Sequence, residues 1–324
     1  MRKRFSPLWM LALVSSIAGA QAQTYPLRPI TLVVPYPPGG TSDAVARILV
    51  ETMKTSLGQP LIIENVGGAG GSIGVGRVAR AAPDGYTLGF GNLSTYVLNG
   101  AAYNLTYDLL NDFDPIALLT NNPLMIVSKS AVPAQDLKGL IAWIKASPAP
   151  VSAATVGAGS SAHVAGVYLA DTIGARLNFV PYRGGAPAVQ DLVAGQVDLM
   201  LIQATDAVPH VQSGRIKGFA VTSTARMTAM PEIPTVDEAG LPGLHMTIWN
   251  GFWAPKGTPQ PIIAGINSAA NAALADPGAR QRLAALGQEL PASDQSSPEA
   301  LRTQQKAEAA KWWPIMRAAQ IRAE

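Results

Sequence analysis

ITLVVPYPPGGTSD, residues 30–43, passes from an apolar strand through a Pro/Gly loop into the start of a helix. Ile30, Leu32, Val33 and Val34 are the residue types that fill a strand buried on both faces. Pro35, Pro37 and Pro38 stiffen the exit from that strand, and Gly39 and Gly40 admit backbone geometry that other residues resist. Thr41 or Ser42 is placed to cap a helix whose apolar side is Val45, Ile48, Leu49 and Met53. N–H groups at such a helix start have no partner inside the helix, and the helix dipole favours negative charge there. The loop is therefore a candidate anion pocket, and it carries no evident catalytic group.

The same rhythm continues along the chain. Apolar runs predict strands at 30–34, 61–65, 87–90, 124–128, 151–155, 178–180, 198–202 and 217–221. Helical patterns fall between them at 42–57, 72–81, 137–146, 161–173, 187–194 and 207–213. This alternation predicts an α/β fold with right-handed crossovers and parallel sheets covered by helices. Beyond residue 258 the pattern turns helical, at 260–275, 278–286 and 298–319. Two stretches, 111–123 and 231–253, read as irregular connectors between the blocks. The economical arrangement is one lobe from 23–122 and 250–324 and a second from 123–249, joined by two hinge crossovers. In open α/β sheets ligands sit beyond the carboxyl ends of the strands, where a cleft between such lobes would lie.

Residues 1–22 read as a secretory leader: Arg2, Lys3 and Arg4, an apolar run at 8–17, then Ala20-Gln21-Ala22 as the cleavage site. The run is shorter than the ~18 residues that span a bilayer. Export to the periplasm is the expectation, with cleavage near Ala22. The chain has 24 Lys+Arg against 21 Asp+Glu, and without the three leader bases the balance is 21 against 21. The mature surface thus offers no argument for nucleic acid or an anionic membrane. With no cysteine there is no disulfide, thiolate or Cys-based zinc site, so the core alone must hold the fold, and 48% apolar content supplies one.

Three further loops share the construction of the first. Residues 91–96, Gly-Asn-Leu-Ser-Thr-Tyr, follow the third strand with Asn92, Ser94 and Thr95 able to donate to a carboxylate without bringing net charge, or to cap the next helix. Residues 157–163, Gly-Ala-Gly-Ser-Ser-Ala-His, place Ser160 and Ser161 at a helix start in the second lobe, with His163 one turn in. Residues 181–187 carry Arg183, which suits a bidentate carboxylate pair or a solvated surface, followed by Gly184, Gly185 and Ala186. After the strand at 198–202 come Gln203, Thr205 and Asp206, the last a hydrogen-bond acceptor for a ligand or a cap.

Catalytic signatures are weak. Residues 70–74 match G-x-S-x-G around Ser72, which raises an exported esterase as the rival reading. Glycines intervene between the strand and that serine, no HGGG-like loop precedes it, and the three histidines stand in no triad-like setting. Neither G-x-G-x-x-G nor a P-loop lysine is present, and the histidines lack metal-ligand spacing. The expectation is a protein that is not an enzyme and needs no metal or cofactor.

The segments VVPYPPGGTSDAVAR (33–47), ENVGGAGGSIGVGRVARAAPDGYTL (64–88), VPYRGGAPAVQDLVAGQVDLML (180–201), PHVQSGRIKGFAVTS (209–223) and PEIPTVDEAGLPG (231–243) resemble the Bug family. These are exported solute receptors of tripartite tricarboxylate transporters, and the resemblance spans the mature chain in order. It implies a two-lobed periplasmic-binding-protein (Venus flytrap) fold that binds a small carboxylate and serves membrane transporter components as a monomer; a sensor for a signalling partner would use the same fold. By position it implicates Tyr36, Pro38, Gly39, Gly40, Thr41 and Ser42, with Ser94 and Thr95 beside them. The second lobe would add Ser160, Ser161, His163, Arg183, Gly184 and Ala186, with Asp206 at its rim. Three positions depart from the family pattern: Pro38 for alanine, Arg183 for lysine, and Thr95-Tyr96 for a Thr-His pair. Tyr96, with Trp249 and Phe252, suggests an aromatic dicarboxylate such as terephthalate, the alternative being that all three are aromatics buried at the hinge.

Overall fold

A computed structural model describes residues 25–182 and 184–323, with Ser293 described by its backbone alone. The first lobe begins with β1 (Ile30–Val34), α1 (Thr41–Leu57), β2 (Leu61–Asn65), α2 (Ser72–Ala79) and β3 (Thr87–Asn92). A π-type turn at Ser94–Leu98 leads into α3 (Asn99–Ala102), and β4 (Phe113–Thr120) ends the block. The second lobe holds β5 (Leu124–Lys129), α4 (Leu137–Ala146), β6 (Val151–Thr155), α5 (Ser161–Ile173) and β7 (Leu177–Pro181). It continues through α6 (Gly185–Val193), β8 (Leu199–Gln203), α7 (Ala204–Gln212) and β9 (Ile216–Val221). The chain then returns to the first lobe as β10 (Asn250–Pro255), followed by α8 (Gln260–Ala275), α9 (Pro277–Ala285) and α10 (Pro298–Ala318).

The strands form two five-stranded sheets, ordered β2-β1-β3-β10-β4 and β7-β6-β8-β5-β9. The two orders are equivalent. In each, three parallel strands abut one that arrives from the other lobe and runs antiparallel to both neighbours: β10 between β3 and β4, and β5 between β8 and β9. The sheets are therefore mixed rather than wholly parallel as the alternation predicted. A crossover strand enters without a βαβ connection, so nothing forces it to share its neighbours' direction.

β4 and β10 occupy ground that read as irregular. Pro115 interrupts the first pattern, while Gly251 and Pro255 interrupt the second. Both strands are nonetheless buried throughout, paired through Trp253 with Pro115 and Phe252 with Ala117. β4 is the sheet edge, where a proline costs no ladder bond on the open side. Asp114 ties the two together: its carboxylate accepts from Gly257 N at 2.8 Å and from Lys256 Nζ at 3.0 Å.

The crossovers are short on one side and long on the other. Residues 121–123 link β4 to β5, and 222–249 link β9 to β10. They pair with each other: Asn122 N donates to Ile248 O at 3.0 Å, and Ile248 N donates back to Asn122 O at 2.8 Å. Asn122, only 1% exposed, also donates its amide to Gln203 Oε1 (3.2 Å) and Thr205 Oγ1 (3.1 Å). No helix among the described residues is long and apolar enough to cross a membrane.

Candidate functional site

The β1–α1 loop is held by a chain of buried polar contacts. Asn65, ending β2, donates its amide to Tyr36 O (3.1 Å) and to Asp43 Oδ1 (3.0 Å). Asp43 Oδ2 accepts from Gly39 N (2.9 Å) and Arg47 Nε (2.8 Å). Burial opposes the charge of Asp43, but the Arg47 guanidinium, the Gly39 N–H and the Asn65 amide outweigh it and hold its pKa at about 2. Neither Thr41 nor Ser42 caps α1. Gly40 is the N-cap, without a side-chain bond, and Asp43 reaches back to the loop instead. The N–H groups of Thr41 and Ser42 find no protein acceptor among the described residues, and both residues line the cleft between the lobes.

The start of α5 mirrors this arrangement from the second lobe. Ser160 is its N-cap: the hydroxyl accepts from His163 N (3.3 Å) and donates to Gly157 O (2.7 Å). His163 turns back onto the loop, its Nδ1 accepting from Gly159 N (3.3 Å) and its ring meeting the edge of Phe179 at 4.9 Å. Burial holds its pKa below the ordinary histidine value, which suits the neutral acceptor role. The N–H groups of Ser161 and Ala162 have no acceptor among the described residues, and both residues line the cleft.

Two adjoining cavities of about 470 and 480 Å³ make up that cleft, sharing Tyr36, Ser42, Val156, Ser161 and Gln203. The first is walled by the starts of α1 and α5 together with Pro38, Gly40, Gly184 and Asp206. The second is walled by Asn92, Ser94, Asn99, Tyr103 and Ser160. Among the described lining residues, Asp206 is the one formally charged group. Burial raises its pKa, against a smaller opposing pull from His210 one turn along α7. Because α7 starts at Ala204, three residues earlier than the pattern predicted, Asp206 stands in its first turn rather than in a loop.

Several anticipated residues lie elsewhere. Gly39 is spent on Asp43, and Ala186 lies one position beyond the Gly184–Gly185 wall. Thr95 is fully buried, its hydroxyl accepting from Asn92 N (3.0 Å) in a turn-closing bond. Thr95 and His163 therefore shape the loops behind the cleft rather than its surface. Arg183 lies outside the described residues, as do the leader and its cleavage site. Asn99 and Tyr103 carried no sequence signal, because the π-type turn that aims them at the cleft has no local periodicity.

The aromatic trio does not line the cleft. Tyr96, Trp249 and Phe252 are all fully buried. Tyr96 stacks on Trp253 at 3.7 Å, in space left by Gly89 and Gly91, where a Cβ would strike its hydroxyl and its ring respectively. Ser72 opens α2 behind a 3₁₀ turn at Ala69–Gly71 rather than directly after a strand. No histidine or carboxylate bonds its hydroxyl among the described residues, so the geometry of a nucleophile elbow is not formed there.

A family model described as "Tripartite tricarboxylate transporter family receptor" matches residues 45–320. BugT of Bordetella pertussis is 37% identical over 279 residues, which is 86% of each chain. The solved structure of MatC from Rhodopseudomonas palustris, with bound malate, is 38% identical with a TM-score of 0.79, covering 90% of this chain and 99% of that one. A second structure from R. palustris, with adipate, is 30% identical with a TM-score of 0.80, covering 92% and 99%. Both share the two-lobed α/β architecture. With the family model spanning most of its length and curated relatives aligned almost end to end, the chain belongs to the tripartite tricarboxylate transporter receptor family.

Proposed function

We propose that this protein is a periplasmic solute-binding receptor that captures a small organic carboxylate between its lobes and delivers it, chemically unchanged, to membrane transporter components. One observation carries the reading: unclaimed N–H groups of Thr41 and Ser42 from one lobe, and of Ser161 and Ala162 from the other, converge on a single cleft. Such groups stabilise an anion without a full positive charge, each helix start acting as roughly half an elementary charge. Malate and adipate in the related structures support a carboxylate, and the leader-like residues 1–22 support export. The lobes, 23–122 with 250–324 and 123–249, would close about the paired crossovers as a monomer, with no cofactor required.

Tyr36, Pro38 and Val156 bring apolar surface to the cleft, which supports terephthalate-like dicarboxylates among the candidates. Isothermal titration of the mature protein against aliphatic and aromatic carboxylates tests the proposal. Micromolar or tighter binding by at least one carboxylate, with no turnover, is expected. Binding by amines or neutral sugars alone would overturn it.

A further inference from the structure

α10 follows the first lobe in the chain yet is fastened to both lobes. Toward the first lobe, Gln305 Nε2 donates to Tyr96 O and to Leu109 O, each at 2.9 Å, and Trp313 Nε1 donates to Val97 O at 2.8 Å. Toward the second, Lys311 Nζ donates to His245 O at 2.9 Å and to Gly243 O at 3.3 Å, both in the long crossover. The half-buried Lys311 ammonium also lies 4.5 Å from the centre of the Trp312 ring and 5.9 Å from that of Tyr168 on α5. Those two rings meet edge to face at 5.7 Å, and Glu308, one turn before Trp312, accepts from its indole N–H. Beneath these contacts the seam is dry. Trp312 and Met316 of α10, Val164 and Leu169 of α5, and Leu244 and Met246 of the crossover are fully buried in one continuous apolar cluster. Parting α10 from α5 would return those side chains to water, a cost that closure around one small ligand does not match. Along the cleft, by contrast, the lobes approach through Gly159 and Ala102, which bury little apolar surface between them.

We infer that the α10 seam is a second, non-covalent pivot about which the lobes turn, and that Lys311 is the positioning residue that limits how far they open. The two covalent crossovers pair with each other at Asn122 and Ile248, so they act as one pivot point. Alone they leave the lobes free to twist as well as to open; the seam adds a second point and so defines an axis. Lysine suits this place, because a compact ammonium with rotatable donors on a four-carbon stem keeps both carbonyls as the lobes turn. Without that clip the ligand-free protein opens further and spends less time in the arrangement that binds, which weakens apparent affinity in proportion. The effect on affinity rests on the carboxylate reading above, whereas the effect on opening does not.

Small-angle scattering of the ligand-free protein compares the wild type with Lys311→Met, which keeps an apolar stem and removes the donors. The variant is expected to show the larger radius of gyration, while the two proteins saturated with malate or adipate coincide. Titration with the same probes should give an affinity about three- to tenfold weaker in the variant. Lys311→Arg, which retains a charged donor, should restore both readouts, and Lys306→Met, at an exposed lysine of the same helix, should alter neither. A cooperative melt for each variant verifies folding. Hydrogen exchange of the wild type keeps the test open even where Lys311→Met does not fold. Amides of residues 309–316 should exchange equally with and without the probe, while those at the α1 and α5 starts are slowed by it. Equal ligand-free dimensions for the wild type and Lys311→Met, or protection of 309–316 by the probe as great as at the helix starts, would overturn the pivot. Failure of every carboxylate to bind would bear on the carboxylate reading alone, and the ligand-free comparison would still decide the pivot.

Discussion

Tyr36 on the β1–α1 loop donates its hydroxyl to Asn92 Oδ1 at the end of β3, 3.0 Å away. The contact joins the loop that opens the first cavity to the residue that lines the second. Burial raises the pKa of the Tyr36 phenol to about 12, with Asn92 and Thr95 pulling weakly the other way, so it stays a protonated donor at physiological pH.

Tyr36→Phe removes one of the three donors that orient the Asn92 amide, the others being Ser94 N and Thr95 N, while keeping the ring. The variant should melt within about 1 kcal/mol of the wild type yet bind its carboxylate about three- to tenfold more weakly. Calorimetric titration beside a thermal melt checks this. Unchanged affinity would show that the other two donors hold the amide alone.

Asp43 governs acid stability of the same loop. Its pKa is lowered from the ordinary 3.8 to about 2, so its stabilising contribution is complete above the ordinary value and is lost as pH falls from about 4 to about 2. Asp43→Asn should lose on the order of 1–2 kcal/mol at neutral pH, discounted because Arg47 is exposed to solvent. Its denaturation midpoint should also depend less steeply on pH between about 4 and about 2. Chemical denaturation across that range, in both proteins, provides the comparison.

Gly159 meets the other lobe at close range. Its φ is +74°, and a Cβ there would lie 2.8 Å from Ala102 Cβ. Gly159→Ala therefore adds strain of about 1 kcal/mol and a clash across the cleft. Affinity should fall about tenfold, and the saturated protein should remain more open. Small-angle scattering with and without ligand measures the second effect. Wild-type compaction in the variant would dismiss a contact between closing lobes.

Asn122 ties the short crossover to the start of α7 through Gln203 and Thr205. Asn122→Ala leaves those half-buried groups without their donor and should cost about 1 kcal/mol. The loss should show in the unfolding midpoint of the whole chain, because this crossover belongs to both lobes.

Much of this architecture is legible in local pattern. The apolar runs at 30–34, 61–65 and 151–155 are strands with those bounds, and the helices at 137–146 and 161–173 likewise, because each is encoded by its own periodicity. Glycine and serine marked the strand-to-helix turns after β1, β3, β6 and β7, and all four contribute residues to the cleft. β4 and β10 escaped notice because Pro115 and Gly251 spoil their patterns. What makes them strands is pairing across more than a hundred residues of intervening chain.

The division at the site follows the same line. Residue type and the start of a helical pattern dictate which loops carry small donors and unpaired helix starts. Which side chains reach the cleft depends instead on packing between distant elements. The folded chain turned Thr95 and His163 back onto their own loops, buried Tyr96 against Trp253, and tied Asn92 at the cavity wall to Tyr36. Each of those outcomes is set by a hydrogen bond or a stacking contact whose direction depends on the folded neighbours, and local sequence does not encode that direction.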